Sequence, residues 1–122
     1  MRKQRTPLED LLVGGLDDWI YASWVCVSAA LTGVTERSAL RELSLGMIAE
    51  ALAGGLMVPG DISDGRHLPW DCTDGEAMMR ITREWVNDWG DQDPTPGAIV
   101  WLANTTAGDR IAHGVLCREH GT

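Results

Sequence analysis

The chain of 122 residues carries 18 acidic and 10 basic side chains, which gives a formal net charge of −8 and a pI near 4.6. Binding to DNA, RNA or an anionic membrane depends on Lys and Arg side chains that neutralise phosphates, so this balance argues against those partners. With 44% hydrophobic residues the chain is long enough for one compact core. We therefore expect a single domain over residues 1–122, with a flexible basic segment at 1–6 and a flexible tail at 118–122.

The cysteines, Cys26, Cys72 and Cys117, are odd in number and do not suggest a disulfide framework. The basic start of the chain is interrupted by Pro7 and several acidic residues, so no secretory signal peptide is expected. The most apolar stretch, residues 19–31, is shorter than the roughly 20 residues that cross a bilayer. These observations predict a cytoplasmic protein that does not enter a membrane.

Two helix starts are marked by capping boxes. Thr6 is placed as an N-cap, with Pro7 at the first helical position and Glu9 able to reach back to the N–H of the cap. A glycine pair ends this first helix. Thr73 and Glu76 repeat the pattern and predict a later helix that ends at the next glycine. Both helices therefore have a sequence-defined beginning.

Between these helices the sequence predicts two more. Asp17 and Asp18 favour the start of a helix that runs to Gly33 and is apolar nearly all round, so we expect it at the centre of the molecule. Thr35 is placed to cap the next helix, whose apolar residues recur at helical spacing. That stripe comprises Leu40, Leu43, Met47, Ile48, Ala51 and Leu52.

Short apolar runs at Leu56–Val58 and Ile99–Leu102 are of strand type and are expected to pair with each other. Residues 60–71 are rich in turn formers and predict an ordered loop. Thr105 or Thr106 caps a last helix. The predicted fold is α+β and mainly α, with four to five helices and a small two-stranded antiparallel β element.

The strongest charge asymmetry lies between Asp61 and Asp93, a segment that contains nine carboxylates and only three arginines. Such a segment is typical either of a solvated face or of a surface complementary to a basic partner, and both alternatives stay open. For the second, Trp70 is the candidate apolar anchor, whereas the other five tryptophans are assigned to the core. The candidate partner-binding residues are Asp61, Asp64, Trp70, Asp71, Asp88, Asp91 and Asp93.

Two chemical constellations are weaker candidates. His113, Cys117 and His120 have a spacing that would place three zinc ligands on one helix face, but nothing specifies a fourth ligand. His67 and Cys72 have the residue types of a base and a nucleophile, but no oxyanion-hole segment accompanies them. We therefore expect no metal ion, no cofactor and no enzymatic activity.

Two stretches, Ala39–Ile62 and Pro96–Arg110, resemble a group of small, acidic, mostly uncharacterised actinobacterial proteins. Proteins of this kind are similar in type to the immunity proteins of bacterial toxin systems. The same stretches also resemble parts of a winged helix, because a helix runs into one strand and a second strand runs into another helix. The winged-helix resemblance implies an architecture, although acidic residues in the would-be recognition helix disfavour DNA reading.

These features predict a non-enzymatic protein-binding protein, an immunity-type inhibitor that occludes a basic toxin such as a nuclease. The alternative is a winged-helix-like transcriptional regulator or a phage-encoded module that binds a host protein. A hydrolase that depends on His67 or Cys72 is the third possibility.

Overall fold

The computed structural model describes residues 5–121. Its helices are α1 (Pro7–Gly14), α2 (Ala22–Ala29), α3 (Arg37–Ala53), α4 (Asp74–Glu84) and α5 (Thr106–Glu119). Its strands are β1 (Ile20–Tyr21), β2 (Met57–Ser63), β3 (Arg66–Pro69) and β4 (Trp101–Asn104). The predicted class, α+β and mainly α, is confirmed, but the β element has four strands where two were expected.

The strands form one antiparallel sheet in the order β1-β4-β2-β3. The predicted pairing of the two apolar runs is confirmed, with Val58 opposite Ala103 and Pro59 opposite Leu102. The second run was expected to begin at Ile99, but β4 begins at Trp101 because Ile99 has a φ of 75°, outside the extended region. Strand β4, the last in the sequence, thus lies inside the sheet between β1 and β2.

The loop predicted over residues 60–71 is wrong, since β2 and β3 form a hairpin there. The turn consists of Asp64 and Gly65, whose φ angles of 51° and 72° are the left-handed pair of a type I′ turn. Asp-Gly is a favoured sequence for this turn because both residues tolerate positive φ. The turn formers therefore connect two strands instead of preventing them.

Hydrogen bonds at the helix starts explain where the helices begin. Both capping boxes are confirmed, with reciprocal bonds between Thr6 and Glu9 and between Thr73 and Glu76. Thr105 caps α5, as one of the two predicted alternatives. The cap predicted for α3, Thr35, is wrong by one residue. The carboxylate of Glu36 accepts hydrogen bonds from Ser38 N and Ala39 N at the start of this helix.

The predicted central helix differs most from the structure. It does not start at Asp17 and Asp18, because Ile20 and Tyr21 pair with β4 before α2 begins at Ala22. One side of α2 packs into the core, but Val27 is 68% exposed and Leu31, in the following 3-10 turn, is 58% exposed. Strand pairing thus overrides the local helical pattern, and α2 lies at the surface.

The core lies between the helices and the inner face of the sheet. Ile20 and Leu102 are completely buried on that face, and Ile48, Ile81 and Ala112 bring in α3, α4 and α5. Helix α4 continues into a π-helical turn, Trp85–Trp89, in which Trp85 is buried as predicted. Every helix therefore contributes to the same apolar cluster as the sheet.

The two ends of the described chain are joined by ion pairs. Arg5 binds Glu119 and Asp10, while Arg118 binds Glu9 with two hydrogen bonds of 3.0 and 3.1 Å. Helix α5 extends to residue 119 and includes two residues of the tail predicted as flexible. Residues 1–4 of the predicted basic segment, and residue 122, lie outside the described residues. We call Arg5, Glu9, Arg118 and Glu119 the terminal clasp.

Candidate functional site: acidic loops and an aromatic sheet face

Three of the predicted partner-binding carboxylates lie on or beside the hairpin. Asp61 is on β2 opposite Leu68, Asp64 is in the turn, and Asp71 follows β3. All three are exposed, and none has a side-chain hydrogen bond or an ion pair within residues 5–121. Leu68 is 47% exposed beside them. The hairpin therefore presents three carboxylates without an ion pair, next to an apolar side chain, although Arg66 on β3 is also exposed.

Trp70, the predicted anchor, is partly buried and packs against the core. The guanidinium of Arg80 lies 3.8 Å from the centre of its ring, in a cation–π contact. Its buried indole N–H has no hydrogen-bond partner among the described residues. A partner reaching this face of the Trp70 ring would first have to displace Arg80, whereas Leu68 is already accessible.

The remaining predicted carboxylates follow α4. Asp88 is exposed in the π-helical turn, and Asp91 accepts a hydrogen bond of 3.1 Å from Nη1 of Arg41. The same nitrogen donates to the carbonyl of Gly90, also at 3.1 Å. Asp93 is exposed beside α2 and α3. Asp91 therefore ties this connector to α3, and its charge is partly compensated.

The predicted carboxylates form two groups rather than one. Asp71 lies just before the N-cap of α4, and Asp91 lies just after Gly90, where the π-helical turn ends. The intervening helical segment, 74–89, has a length of roughly 20 Å at the rise of an α-helix. The hairpin group and the connector group therefore lie at opposite ends of this segment and are treated separately.

His67 and Cys72 are not brought together as a catalytic pair. The Nε2–H of His67 donates to the carbonyl of Trp101 at 2.9 Å, and its ring lies over Gly60. No hydrogen bond links it to Cys72 in the described part of the chain. The ring of His67 is thus part of the sheet surface.

An aromatic surface covers the outer face of the sheet. We call Trp19, Tyr21, Trp24, His67 and Trp101 the aromatic face. Tyr21 makes edge-to-face contacts with Trp101 and Trp24 at centroid distances of 5.5 and 5.7 Å. Trp19 packs against His67 at 6.3 Å. Trp19, Trp24 and Trp101 were expected in the core. All five rings are partly accessible, and Trp19 is 36% exposed, but Trp24 also packs against the core.

Sequence reasoning missed this face because β1 is only two residues long. Exposure alternates around Ile20, which is buried while Trp19 and Tyr21 on either side of it are accessible, but all three residues are hydrophobic, so the sequence itself shows no alternation. Val100, Trp101 and Leu102 alternate in the same way, with Trp101 accessible. Residues directly opposite in an antiparallel pair share a face, which places Trp101 beside Tyr21.

Beside the aromatic face lies an apolar pocket of about 580 Å³ between α2 and α3. Trp24, Val27 and Leu40 line it, and Asp93 stands at its side. Cys26 also lines it, and burial raises the pKa of this thiol, with a smaller contribution from Asp93. A raised pKa lowers the fraction of thiolate, so Cys26 is a poor nucleophile at neutral pH.

The three residues that were weighed as zinc ligands lie along the last helix or at its end. His113 and Cys117 are exposed on α5, and His120 is its C-cap residue. Within residues 5–121 no three His, Cys, Asp or Glu side chains converge as a metal-binding group. None of the described helices combines the length and the hydropathy needed to traverse a bilayer.

Comparison with known proteins finds no matching family model, no similar curated protein and no similar solved structure. The likeness to small acidic actinobacterial proteins therefore stays a prediction. The exposed carboxylates and aromatic rings are the features of the molecule that bear on its function.

Proposed function

We propose that this protein is a non-enzymatic binding protein, an immunity-type inhibitor that covers a basic surface of a toxin such as a nuclease. The observation that carries the proposal is the hairpin group: Asp61, Asp64 and Asp71 are exposed and lack a counter-ion in the described residues. Carboxylates without an internal partner keep their full charge for a basic surface, and charge complementarity accelerates association.

The hairpin also gives this charge a defined position. Its register is set by four residue pairs between β2 and β3 and by the type I′ turn, so Asp61 is held on a paired strand and Asp64 in the turn, while Asp71 follows the end of β3. Leu68 adds apolar area at the centre of the group, and Trp70 supports the strand end through its contact with Arg80. In the proposed complex Leu68 makes the apolar contact and the three aspartates form its charged rim.

The test is a charge-altered variant with Asp61→Lys, Asp64→Asn and Asp71→Lys. Asparagine is used at position 64 because φ there is 51° and asparagine tolerates that conformation. Wild type and variant are used in parallel as baits in the native host, and the affinity of any retained basic protein is then measured by calorimetry at low and high salt. We expect the variant to bind about tenfold more weakly, with a smaller salt dependence.

The matched control is Glu50→Lys, which reverses an exposed carboxylate on α3. It is compared with Asp61→Lys alone, since both change the net charge by the same amount. If the hairpin variant kept the affinity and the salt dependence of the wild type, the proposal would be lost. If Glu50→Lys weakened the affinity for the partner as much as Asp61→Lys does, the effect would be one of general charge, and the proposal would also be refuted.

A further inference from the structure

We propose that the edge of the aromatic face binds an arginine- or lysine-bearing segment of a partner polypeptide. The site is an open pocket of about 460 Å³ where the loop after α1 meets β4. Its lining includes Asp17, Asp18, Trp19, Ala103, Asn104 and Asp109. This surface is separate from the hairpin group, and the inference does not rest on the immunity proposal.

The charge of the pocket favours a cation. Three of its lining residues are carboxylates and none is basic. Asp17 and Asp18 are exposed and have no side-chain partner among residues 5–121, whereas Asp109 accepts a hydrogen bond of 3.1 Å from Nδ2 of Asn104. The bond to Asn104 orients Asp109 at the rim of the pocket. A positively charged group that enters the pocket would therefore meet the oriented carboxylate of Asp109 and the unpaired carboxylates of Asp17 and Asp18.

The ring of Trp19 makes a guanidinium the best-fitting cation. It packs on His67, with the planes tilted by 41°, while 36% of the residue stays exposed. A guanidinium is planar and weakly hydrated, and it can stack on an aromatic ring while its N–H groups bind a carboxylate. An ammonium group can use the same carboxylates as a compact charge. Trp19 beside Asp17 and Asp18 supplies both interactions.

The surroundings of the pocket suit a polypeptide better than a small cation. Ala103 lines the pocket and pairs with Val58, which is 36% exposed on the same outer face. Trp101 and Tyr21 continue that face towards α2. Tryptophan and tyrosine rings next to a charged rim are typical of protein interfaces, where flanking residues of a bound segment contact the rings.

The inference is tested with a defined peptide and the full chain. Acetyl-Leu-Arg-Leu-amide is titrated into ¹⁵N-labelled protein at low salt, and the indole N–H signals of the six tryptophans are followed. The comparison peptide contains citrulline, which replaces the guanidinium by a neutral group of similar shape. We expect the Trp19 signal to move in a saturable way with the arginine peptide, and binding to be about fivefold weaker with citrulline.

Two matched variants locate the site. Asp17→Asn with Asp18→Asn is expected to weaken the arginine peptide about fivefold, whereas Asp61→Asn with Asp64→Asn, which removes the same charge from the hairpin, is expected to leave it unchanged. The other indole signals show whether each variant keeps its fold.

Several outcomes would overturn the inference: no movement of the Trp19 signal up to peptide concentrations on the order of 10 mM, equal binding of the citrulline peptide, or equal weakening by the hairpin variant. Movement of the signal with protein concentration alone would identify a second copy of this chain as the occupant and would also overturn it. Because no toxin is used, a negative result with the peptide leaves the hairpin proposal standing. Likewise, an unchanged toxin affinity of the variant with Asp61→Lys, Asp64→Asn and Asp71→Lys leaves this site standing.

Discussion

At the scale of single residues, Gly60 leaves space for the ring of a neighbouring side chain, His67. A Cβ at this position would meet the carbonyl of Leu68 and the ring of His67, with 2.6 Å to Cε1. The absence of a side chain lets the ring lie on the sheet and bind the carbonyl of Trp101. The glycine thus positions one member of the aromatic face.

We expect Gly60→Ala to destabilise the protein by about 1–3 kcal/mol, because the carbonyl of Leu68 belongs to the paired backbone and cannot move away easily. The measurement is urea unfolding followed by tryptophan fluorescence. Gly46→Ala is the control, since a Cβ on this exposed position of α3 meets nothing within 4 Å. That change is expected to stabilise α3 by about 0.5–1 kcal/mol, and a loss of stability there would contradict the argument.

Residue patterns predicted local hydrogen bonding well and exposure poorly. The capping boxes at Thr6 and Thr73 form as expected because each needs only residues within one turn of helix. Trp19 and Trp101 were assigned to the core from their hydrophobicity, yet they lie on the outer face. Their exposure depends on which strand lies opposite, and that information is distant in the sequence.

At the scale of elements, the terminal clasp holds α1 against α5. The bidentate hydrogen bonds from Arg118 hold the pKa of Glu9 below its ordinary value, and the capping bond with Thr6 lowers it further. Arg5 lowers the pKa of Glu119 in the same way. A carboxylate whose pKa is depressed by folding stabilises the native state above its unfolded pKa, and that contribution is lost as the pH falls through the folded pKa.

We therefore expect Glu9→Gln to lower the melting temperature at pH 7 and to have a smaller effect at acidic pH. The difference should begin to shrink near the ordinary glutamate pKa of about 4.3 and approach zero below the depressed folded value. Glutamine keeps an acceptor for the N–H of Thr6, so the change removes the charge and one of the two acceptors for Arg118 while the cap can still form. Thermal melts of both proteins between neutral and acidic pH measure it, and a difference independent of pH would argue against the clasp.

The hairpin is the element that the sequence indicated and the prediction missed. Asp64 and Gly65 carry the local signal of a type I′ turn, and the flanking residues provide two strands. In residues 60–71 the number of turn formers indicates a loop, whereas their order, with Asp64 directly before Gly65, indicates a hairpin. β1 has no comparable signal, because its two residues become a strand only by pairing with β4.

At the scale of the whole molecule, the charge of −8 and the pairing of Arg41 oppose nucleic-acid binding. Helix α3 leads directly into the hairpin, as the recognition helix of a winged-helix protein leads into its wing. The alternative function, a winged-helix-like transcriptional regulator, therefore predicts DNA contacts from these two elements. Yet Arg41 on this helix binds Asp91 and Glu42, and the hairpin carries Asp61 and Asp64 where a basic wing would contact phosphates.

We expect no gel shift of a mixed-sequence DNA duplex at low salt, where phosphate contacts are strongest. A basic DNA-binding protein of similar size serves as the positive control. A salt-sensitive shift by the wild-type chain would instead favour the winged-helix regulator over the inhibitor.

By itself, the sequence determined the α+β class, both capping boxes, the pairing of β2 with β4 and the excess of carboxylates. These features follow from charge count, local hydrogen bonding and apolar periodicity, which act over short distances or over the whole composition. Tertiary structure alone decided that Trp19, Tyr21 and Trp101 share an outer face and that Asp91 pairs with Arg41. The physical reason is that both depend on packing, which joins residues far apart in the chain.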